Sequence, residues 1–172
     1  MISLSLPRKD QWAPYALGVA LLPVCAVFAF GEPTVDPNPL WVLAHAFDLI
    51  VHEAGHVVFR WFGRTVMAAG GSMLQLLLPA LFVYQGVYWS NRVGTQLALL
   101  LLGQNFVDVS VYAADAQARA LPLLGGDRVF HDWHVILSDL GMLEATPVVA
   151  GALYGMAFVC WALMLAVPRW IL

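Results

Sequence analysis

The stretch FDLIVHEAGHVVFRWFG, Phe47–Gly63, places His52, Glu53 and His56 inside a run that is otherwise apolar enough to cross a membrane. An ionisable side chain near the centre of a membrane span costs about 2.5–3.5 kcal/mol on insertion scales. With Asp48, this stretch holds a cluster of four ionisable groups within nine residues. Such a cluster is hard to retain in a span without a compensating function, and this predicts a polar site inside a membrane helix.

The composition of the whole chain is that of a polytopic membrane protein. Of its 172 residues, 61% are hydrophobic and 11% are charged, with a mean hydropathy of +0.77, against about 45–50% apolar and 25% charged residues in soluble domains. A span needs roughly 20 apolar residues, and five such runs occur, at 12–30, 40–62, 66–89, 93–118 and 146–167. We therefore expect an all-α bundle of about five transmembrane helices, in a single domain covering residues 1–172 and embedded in a lipid bilayer.

The distribution of Lys and Arg sets the orientation of such a protein, rather than their sum. With the N-terminus inside, six basic residues fall on the cytoplasmic side and two outside; the six are Arg8, Lys9, Arg60, Arg64, Arg119 and Arg128, and the two are Arg92 and Arg169. This bias predicts a multi-pass inner-membrane protein with a cytoplasmic N-terminus. A signal peptide is the alternative for the first run, but no clear small-x-small cleavage site follows it. The net charge of −3 says little about partners, and no nucleic-acid partner is expected.

Two connections between the spans can be read from their turn residues. The segment GEPTVDPNPL, Gly31–Leu40, has three prolines and no basic residue, which predicts a short rigid outside loop. LPLLGGDRVFHDWH, Leu121–His134, is the longest cytoplasmic connection, where Pro122, Gly125 and Gly126 break helicity. The following DWHVILSDLGML can form a short amphipathic helix that lies at the interface or tucks back towards the bundle.

The motif H-E-x-x-H, His52 to His56, is typical of a zinc site. Its i, i+4 spacing puts both imidazoles on one face of a helix, where they can bind the same ion. Glu53 lies one residue further round and can act as general base on a water bound to that ion. The pattern therefore predicts zinc as cofactor, His52 and His56 as ligands, and Glu53 as the catalytic residue.

A catalytic zinc site has three protein ligands, so a third must come from elsewhere. The fourth run carries a polar stripe at helical spacing, formed by Asn105, Asp108, Tyr112, Asp115 and Arg119. Asp115 precedes Arg119 by four residues, just as His56 precedes Arg60. If both arginines mark the cytoplasmic interface, Asp115 is level with His56, while Asp108 lies about 10 Å deeper at 1.5 Å per residue. Asp115 is therefore the expected third ligand.

His131 is the alternative third ligand, because HDWH, His131–His134, could fold back from the cytoplasmic loop. An interfacial anchor formed by Trp133 and its polar neighbours is the other interpretation of that segment.

Three further polar residues have expected roles around His52 and His56. Asp48, one turn before His52, either accepts the second ring N–H of His52 or makes a simple polar contact. His45 is expected to be a satisfied interior histidine. Asp108 is expected to be a deep interior group, either protonated or hydrogen-bonded to Asn105 or Tyr112.

With H-E-x-x-H inside the second span and an aspartate on a later parallel span, the region Ala44–Arg119 resembles the site-2 protease family of intramembrane zinc metalloproteases. In that family a G-x-x-x-N segment follows the H-E-x-x-H helix, and GSMLQ, Gly71–Gln75, occupies this place with Gln for Asn. The resemblance implies that Gln75 contacts the substrate backbone or the developing oxyanion. Helix packing by Gly70 and Gly71, with Gln75 as an interhelical polar contact, is the alternative.

The second family signature, an asparagine followed by prolines and Leu-Asp-Gly, is reduced here to Asn105 and AADAQ, without proline and without glycine after Asp115. Asn105 is accordingly expected beside the ligands or the substrate. The resemblance implies cleavage of a membrane-protein or peptide substrate near the cytoplasmic leaflet by a minimal, divergent relative of the family.

Three other classes of membrane protein are weaker alternatives. A lipid hydroxylase or desaturase with a di-iron site needs many histidines, whereas this chain has five. A non-catalytic scaffold with a structural metal would close it with four protein ligands, for which His52, His56, Asp115 and His131 are the candidates. Haem bound between one histidine of the motif and His131 is the third.

Overall fold

The chain is helical in this computed structural model, which describes residues 12–31, 38–124 and 130–171 and contains no β-strand in those ranges. These ranges contain six α-helices: α1 (Ala16–Phe30), α2 (Pro39–Phe59), α3 (Arg64–Tyr88), α4 (Arg92–Ala114), α5 (Asp132–Asp139) and α6 (Thr146–Ala166). Short 3₁₀ turns, Ala13–Tyr15, Arg60–Phe62, Leu143–Ala145 and Val167–Arg169, extend α1, α2 and α6. All helices except α5 are long and apolar enough to span a membrane.

The bounds of these helical stretches agree with the five predicted runs except at the end of the fourth. The candidate spans are Ala13–Phe30, Pro39–Phe62, Arg64–Tyr88, Arg92–Ala114 and Leu143–Arg169. The fourth ends at Ala114 instead of residue 118 because the Asp115 carboxylate accepts the backbone N–H groups of Ala120 and Leu121, both at 2.9 Å, and holds the chain in a turn. Several residues used in the sequence analysis lie outside the described ranges, namely Arg8, Lys9, Gly125, Gly126, Arg128 and most of the Gly31–Leu40 segment.

Local sequence signals explain where α2, the helix of the H-E-x-x-H motif, begins and ends. The Asn38 side chain accepts the N–H of Leu40 at 2.9 Å, and Pro39 occupies the first helical position, where its missing N–H costs nothing. The helix tightens into the 3₁₀ turn and stops at Gly63, whose φ of 92° is accessible to glycine but disfavoured for other residues. The chain then turns directly into α3.

The apolar core surrounds α4, which packs against α1, α3 and α6. It includes Leu100 and Val107 of α4 and Met164 of α6, and the Trp161 indole donates to the Leu100 carbonyl at 3.2 Å. The second helix packs chiefly on α3 and exposes a stripe of apolar side chains at seven-residue spacing, Leu43, Ile50 and Val57. An outer face this apolar suits lipid better than water.

The short helix α5 tucks back against α3, which is one of its two predicted placements. Val135 and Ile136 pack on Ala68 of α3, and the Trp133 indole donates to the Ser72 hydroxyl at 3.2 Å. These contacts fix the N-terminal end of α5 against the bundle. They bring Asp132, the first residue of α5, down onto the motif helix α2.

Candidate metal centre

His52, His56 and Asp132 form one compact group of potential metal ligands. Both histidines lie on the same face of α2, as their four-residue spacing requires. Nε2 of His52 lies 3.1 Å from Oδ2 of Asp132, and Nε2 of His56 lies 3.2 Å from the same oxygen. One ligand atom from each residue falls within 4.8 Å of the others. His52 and Asp132 are buried and His56 is half-buried.

The spacing of these atoms fits a tetrahedral ion. Zinc binds His nitrogen and carboxylate oxygen at about 2.0–2.2 Å, so the edges of its tetrahedron are ~3.3–3.6 Å long. The two histidine–aspartate distances are close to that edge length. Two imidazoles and one carboxylate are a donor set that suits zinc, and they leave one tetrahedral position for water or substrate. Within the described residues the group has three members.

Hydrogen bonds to the opposite ring nitrogens favour the tautomer that a metal needs. Nδ1 of His56 donates to the backbone carbonyl of Met67 at 2.8 Å, and Nδ1 of His52 donates to Oε1 of Gln75 at 3.1 Å. With Nδ1 of each ring engaged in this way, Nε2 of each ring faces the shared centre and Oδ2 of Asp132, where a metal would replace the protons of the histidine–aspartate hydrogen bonds. Such outer partners orient ligand histidines in metalloproteins.

Asp132 is held in place by Tyr112 of α4. The Tyr112 hydroxyl lies 3.1 Å from Oδ2 of Asp132, and it accepts the backbone N–H of Asp132 at the same distance. Burial alone would raise the pKa of Asp132, but hydrogen bonds and charge interactions with His52 and His56 outweigh it and lower the pKa from 3.8 to about 2. Asp132 is therefore an anion at neutral pH, as a metal ligand must be.

Asp115 and His131, the two expected candidates for the third ligand, contact each other instead of the histidine pair. Nε2 of His131 donates to Oδ2 of Asp115 at 3.1 Å, while its Nδ1 accepts the N–H of His134 and caps α5. Burial lowers the pKa of His131, against the opposing effect of its hydrogen bond to Asp115. The structure thus departs from the expected ligand set: α4 has already ended at Ala114, so the Asp115 carboxylate turns towards the loop.

Asp48 and Asn105 also lie apart from the histidine pair. Oδ2 of Asp48 accepts the side-chain N–H of Gln104 at 2.6 Å, so Asp48 makes a polar contact to α4 and does not serve the ring of His52. The Asn105 amide donates to the Leu101 carbonyl and to Gln104. Asp48 thus links α2 to α4 through one hydrogen bond, whereas the bonds of Asn105 lie within α4.

Gln75 makes the interhelical polar contact that was one of its two expected roles, whereas Asp108 has different partners from those expected. Gln75 bonds His52, in the place that one of the two interpretations gave to Asp48. Asp108 is bonded to the Gln75 amide at 2.8 Å and to Nδ1 of His45 at 2.7 Å, instead of to Asn105 or Tyr112. The ring of His45 is thus satisfied, although its side chain is 55% exposed.

Glu53 lies beside the ligand group on the wall of a large cavity. The cavity has a volume of ≈ 1290 Å³ and is lined by residues of α2, α3 and α4, by the Ala120–Leu124 segment and by the start of α5. His52, His56, Tyr112 and Asp132 line it as well. His45, Arg64, Gln75 and Asp108 are the other polar residues on its walls, and the remaining lining residues are apolar. A chain segment with apolar side chains could therefore reach the ligand group.

Close contact between α2 and α3 depends on glycines at the level of the site. Gly55 of α2 meets Gly70 and Gly71 of α3, and a Cβ added to Gly55 or Gly70 would overlap backbone atoms of the other helix. A methyl group on Gly71 would also overlap the imidazole of His52. These contacts agree with helix packing by Gly70 and Gly71, which was one of the two interpretations of this segment, and Gly71 in addition makes room for His52.

Sequence reasoning missed Asp132 as a site residue and Tyr112 as its partner. In HDWH the sequence predicts His131, one residue before Asp132, as the candidate ligand. It predicts Tyr112 only as a member of the polar stripe of α4. The available signal was an aspartate at the start of a short amphipathic helix that must bury its apolar face somewhere on the bundle.

No protein-family model, curated protein or solved structure matches this chain. The resemblance to the site-2 protease family therefore rests on the motif residues alone.

Proposed function

We propose that this chain is an intramembrane zinc metalloprotease, a minimal and divergent relative of the site-2 protease family. It would hydrolyse a peptide bond of a membrane-associated substrate near the cytoplasmic leaflet. The observation that supports this most directly is the convergence of His52, His56 and Asp132 on one point beside a cavity that Glu53 also lines.

The number of ligands favours a catalytic over a structural metal. A structural zinc site is normally closed by four protein ligands, whereas the ligand group has three members within the described residues. Asp115 and His131, which a four-ligand scaffold would need, are bonded to each other. The fourth position is left to water or substrate from the cavity.

Four side chains take part in the proposed peptide hydrolysis. A zinc ion bound there would polarise the scissile carbonyl and activate a water molecule. His52, His56 and Asp132 hold the ion. Glu53 accepts the proton of the attacking water and delivers it to the nitrogen of the leaving amine as the C–N bond breaks. The apolar walls of the cavity limit access of bulk water.

The proposed location of the chain is a cell inner membrane, with α1, α2, α3, α4 and α6 as spans and the N-terminus in the cytoplasm. His56 precedes Arg60 by four residues, or about 6 Å along a helix. Arg60 and Arg64 are exposed at the end of α2 and the start of α3. With the basic residues on the cytoplasmic side, the ligand group lies just inside the cytoplasmic face of the bilayer.

The test of this proposal compares wild type, Glu53→Gln and Glu144→Gln in detergent with a panel of single-span membrane substrates. Glu144 is the matched control, because it is exposed in the turn before α6. Cleavage products are identified by mass spectrometry, and zinc content is measured on the same samples. We expect wild type and Glu144→Gln to cut, and Glu53→Gln to keep its zinc but lose ~10²–10⁴-fold in rate, the usual size of a general-base effect.

Equal cleavage by Glu53→Gln would exclude Glu53 as the base. A wild-type protein that binds zinc through four protein ligands and cuts no substrate of the panel would favour the scaffold alternative.

A further inference from the structure

A continuous chain of hydrogen bonds runs from the ligand group to the other half of α2. It joins Nδ1 of His52 to Oε1 of Gln75 (3.1 Å), Nε2 of Gln75 to Oδ2 of Asp108 (2.8 Å), and Oδ1 of Asp108 to Nδ1 of His45 (2.7 Å). It therefore links α2, α3 and α4. His45 and His52 are seven residues apart, about 10 Å along the helix.

The chemistry of these groups decides which atom donates and which accepts in each of these hydrogen bonds. Oδ2 of Asp108 accepts a hydrogen bond from the NH₂ group of Gln75, so the amide turns its oxygen towards His52. Because that oxygen can only accept, Nδ1 of His52 carries a proton, and Nε2 is the ring nitrogen that faces Asp132, at 3.1 Å.

We infer that Gln75 and Asp108 are positioning residues that hold His52 in the tautomer required for metal binding, with His45 securing the far side of Asp108. This inference rests on the proposed metal site. It differs from the role that the family resemblance implies for Gln75, which is a contact with substrate. It also excludes proton transfer along the chain, because a neutral amide in its middle neither gains nor loses a proton readily.

Burial of the hydrogen-bonded residues explains why Gln75 can control the position of the His52 ring. Gln75 is 3% and His52 is 6% exposed, so the partner of Nδ1 is supplied by a protein side chain and not by bulk water. Without Oε1 of Gln75, the His52 ring could adopt the other tautomer or rotate. Loss of an outer hydrogen bond to a ligand histidine typically weakens metal affinity 10–100-fold.

The test uses two double variants that share Asp108→Asn and differ only at residue 75. Gln75→Glu with Asp108→Asn keeps an acceptor facing His52, and the asparagine can supply its NH₂ group to the new carboxylate. Gln75→Leu with Asp108→Asn has no acceptor. Asp48→Asn is the matched control. Asp48 is a buried carboxylate on α2 that accepts a hydrogen bond from Gln104 and is not part of the hydrogen-bond chain from His52 to His45.

Zinc affinity is measured by competition with a chromophoric chelator, and folding is checked by gel filtration and circular dichroism. We expect the Leu-containing double variant to bind zinc ~10–100-fold more weakly than wild type. The Glu-containing double variant and Asp48→Asn should bind close to wild type. Equal affinities for the two double variants would overturn the inference.

A second readout needs no metal. The ¹⁵N chemical shifts of the His52 ring in the metal-free protein report which nitrogen carries the proton. We expect Nδ1 of His52 to carry a proton in wild type and in the Glu-containing variant, and to lose it in the Leu-containing one, where only the contact of Nε2 with Asp132 remains. The same tautomer in all three would overturn the inference, whereas failure of wild type to bind zinc would overturn the proposed function and leave the tautomer readout to decide the role of Gln75.

Discussion

Oδ2 of Asp132 lies 3.1 Å from Nε2 of His52, although eighty residues separate them in the chain. The contact exists because α5 folds back on α3 and points its first residue at α2. Since that oxygen also lies 3.2 Å from Nε2 of His56, one carboxylate serves both histidines. The third ligand of the proposed site thus comes from a helix that is too short to span the membrane.

Replacing Asp132 by alanine should empty the proposed site, because two imidazoles alone leave too few ligands to hold the ion. Zinc per chain, measured by mass spectrometry of the purified protein, should fall from about one in wild type to near zero. Asp139→Ala is the control, because Asp139 ends the same helix and is exposed. Asp115→Ala should retain more zinc than Asp132→Ala. The opposite order would restore Asp115 as third ligand.

Removing the hydroxyl of Tyr112 should weaken the metal site without emptying it. In Tyr112→Phe, Asp132 loses a partner at both its carboxylate and its backbone N–H, so its orientation is less well fixed. We expect zinc affinity to fall ~10-fold, at the low end for such outer contacts. Tyr154→Phe removes a hydroxyl bonded to the Ala29 carbonyl in another part of the bundle, and its affinity should stay at the wild-type value. An unchanged affinity in Tyr112→Phe would contradict this role.

A methyl group at Gly71 should damage the site by steric overlap with the His52 ring. Overpacking of this kind typically costs about 1–3 kcal/mol, and here either the ring or α3 must move. We expect Gly71→Ala to unfold at a lower temperature and to bind less zinc. Gly151→Ala is the matched control, because a methyl group on Gly151 of α6 meets nothing within 4 Å. Equal zinc binding by the two variants would show that the ring tolerates displacement.

Labelling of single cysteines should give the proposed N-in topology. Residues introduced at Gly63 and Leu123 should react with a membrane-impermeant reagent only after the membrane is opened, whereas one at Asn91 should react in intact cells. The native Cys25 and Cys160 are buried, so their background reactivity should be low. The reverse pattern would invert the orientation and place the ligand group at the outer face.

The sequence alone determined the helical architecture and the core of the site. Hydropathy located the five candidate spans, because a helix of about 20 apolar residues is a local property of the chain. The four-residue spacing of His52 and His56 put them on one face of α2, and it also put Glu53 beside them. These are consequences of helical periodicity, and they hold whatever the rest of the chain does.

Only the tertiary structure decided which groups complete the site. Asp115 would be level with His56 only if α4 continued to Arg119, but the turn at Asp115 ends it earlier. Asp132 approaches His52 because α5 docks on α3, and Gln75 faces His52 because α2 and α3 come close at their glycines. Contacts between helices depend on where each helix ends and which faces pack together, and no local periodicity contains that information.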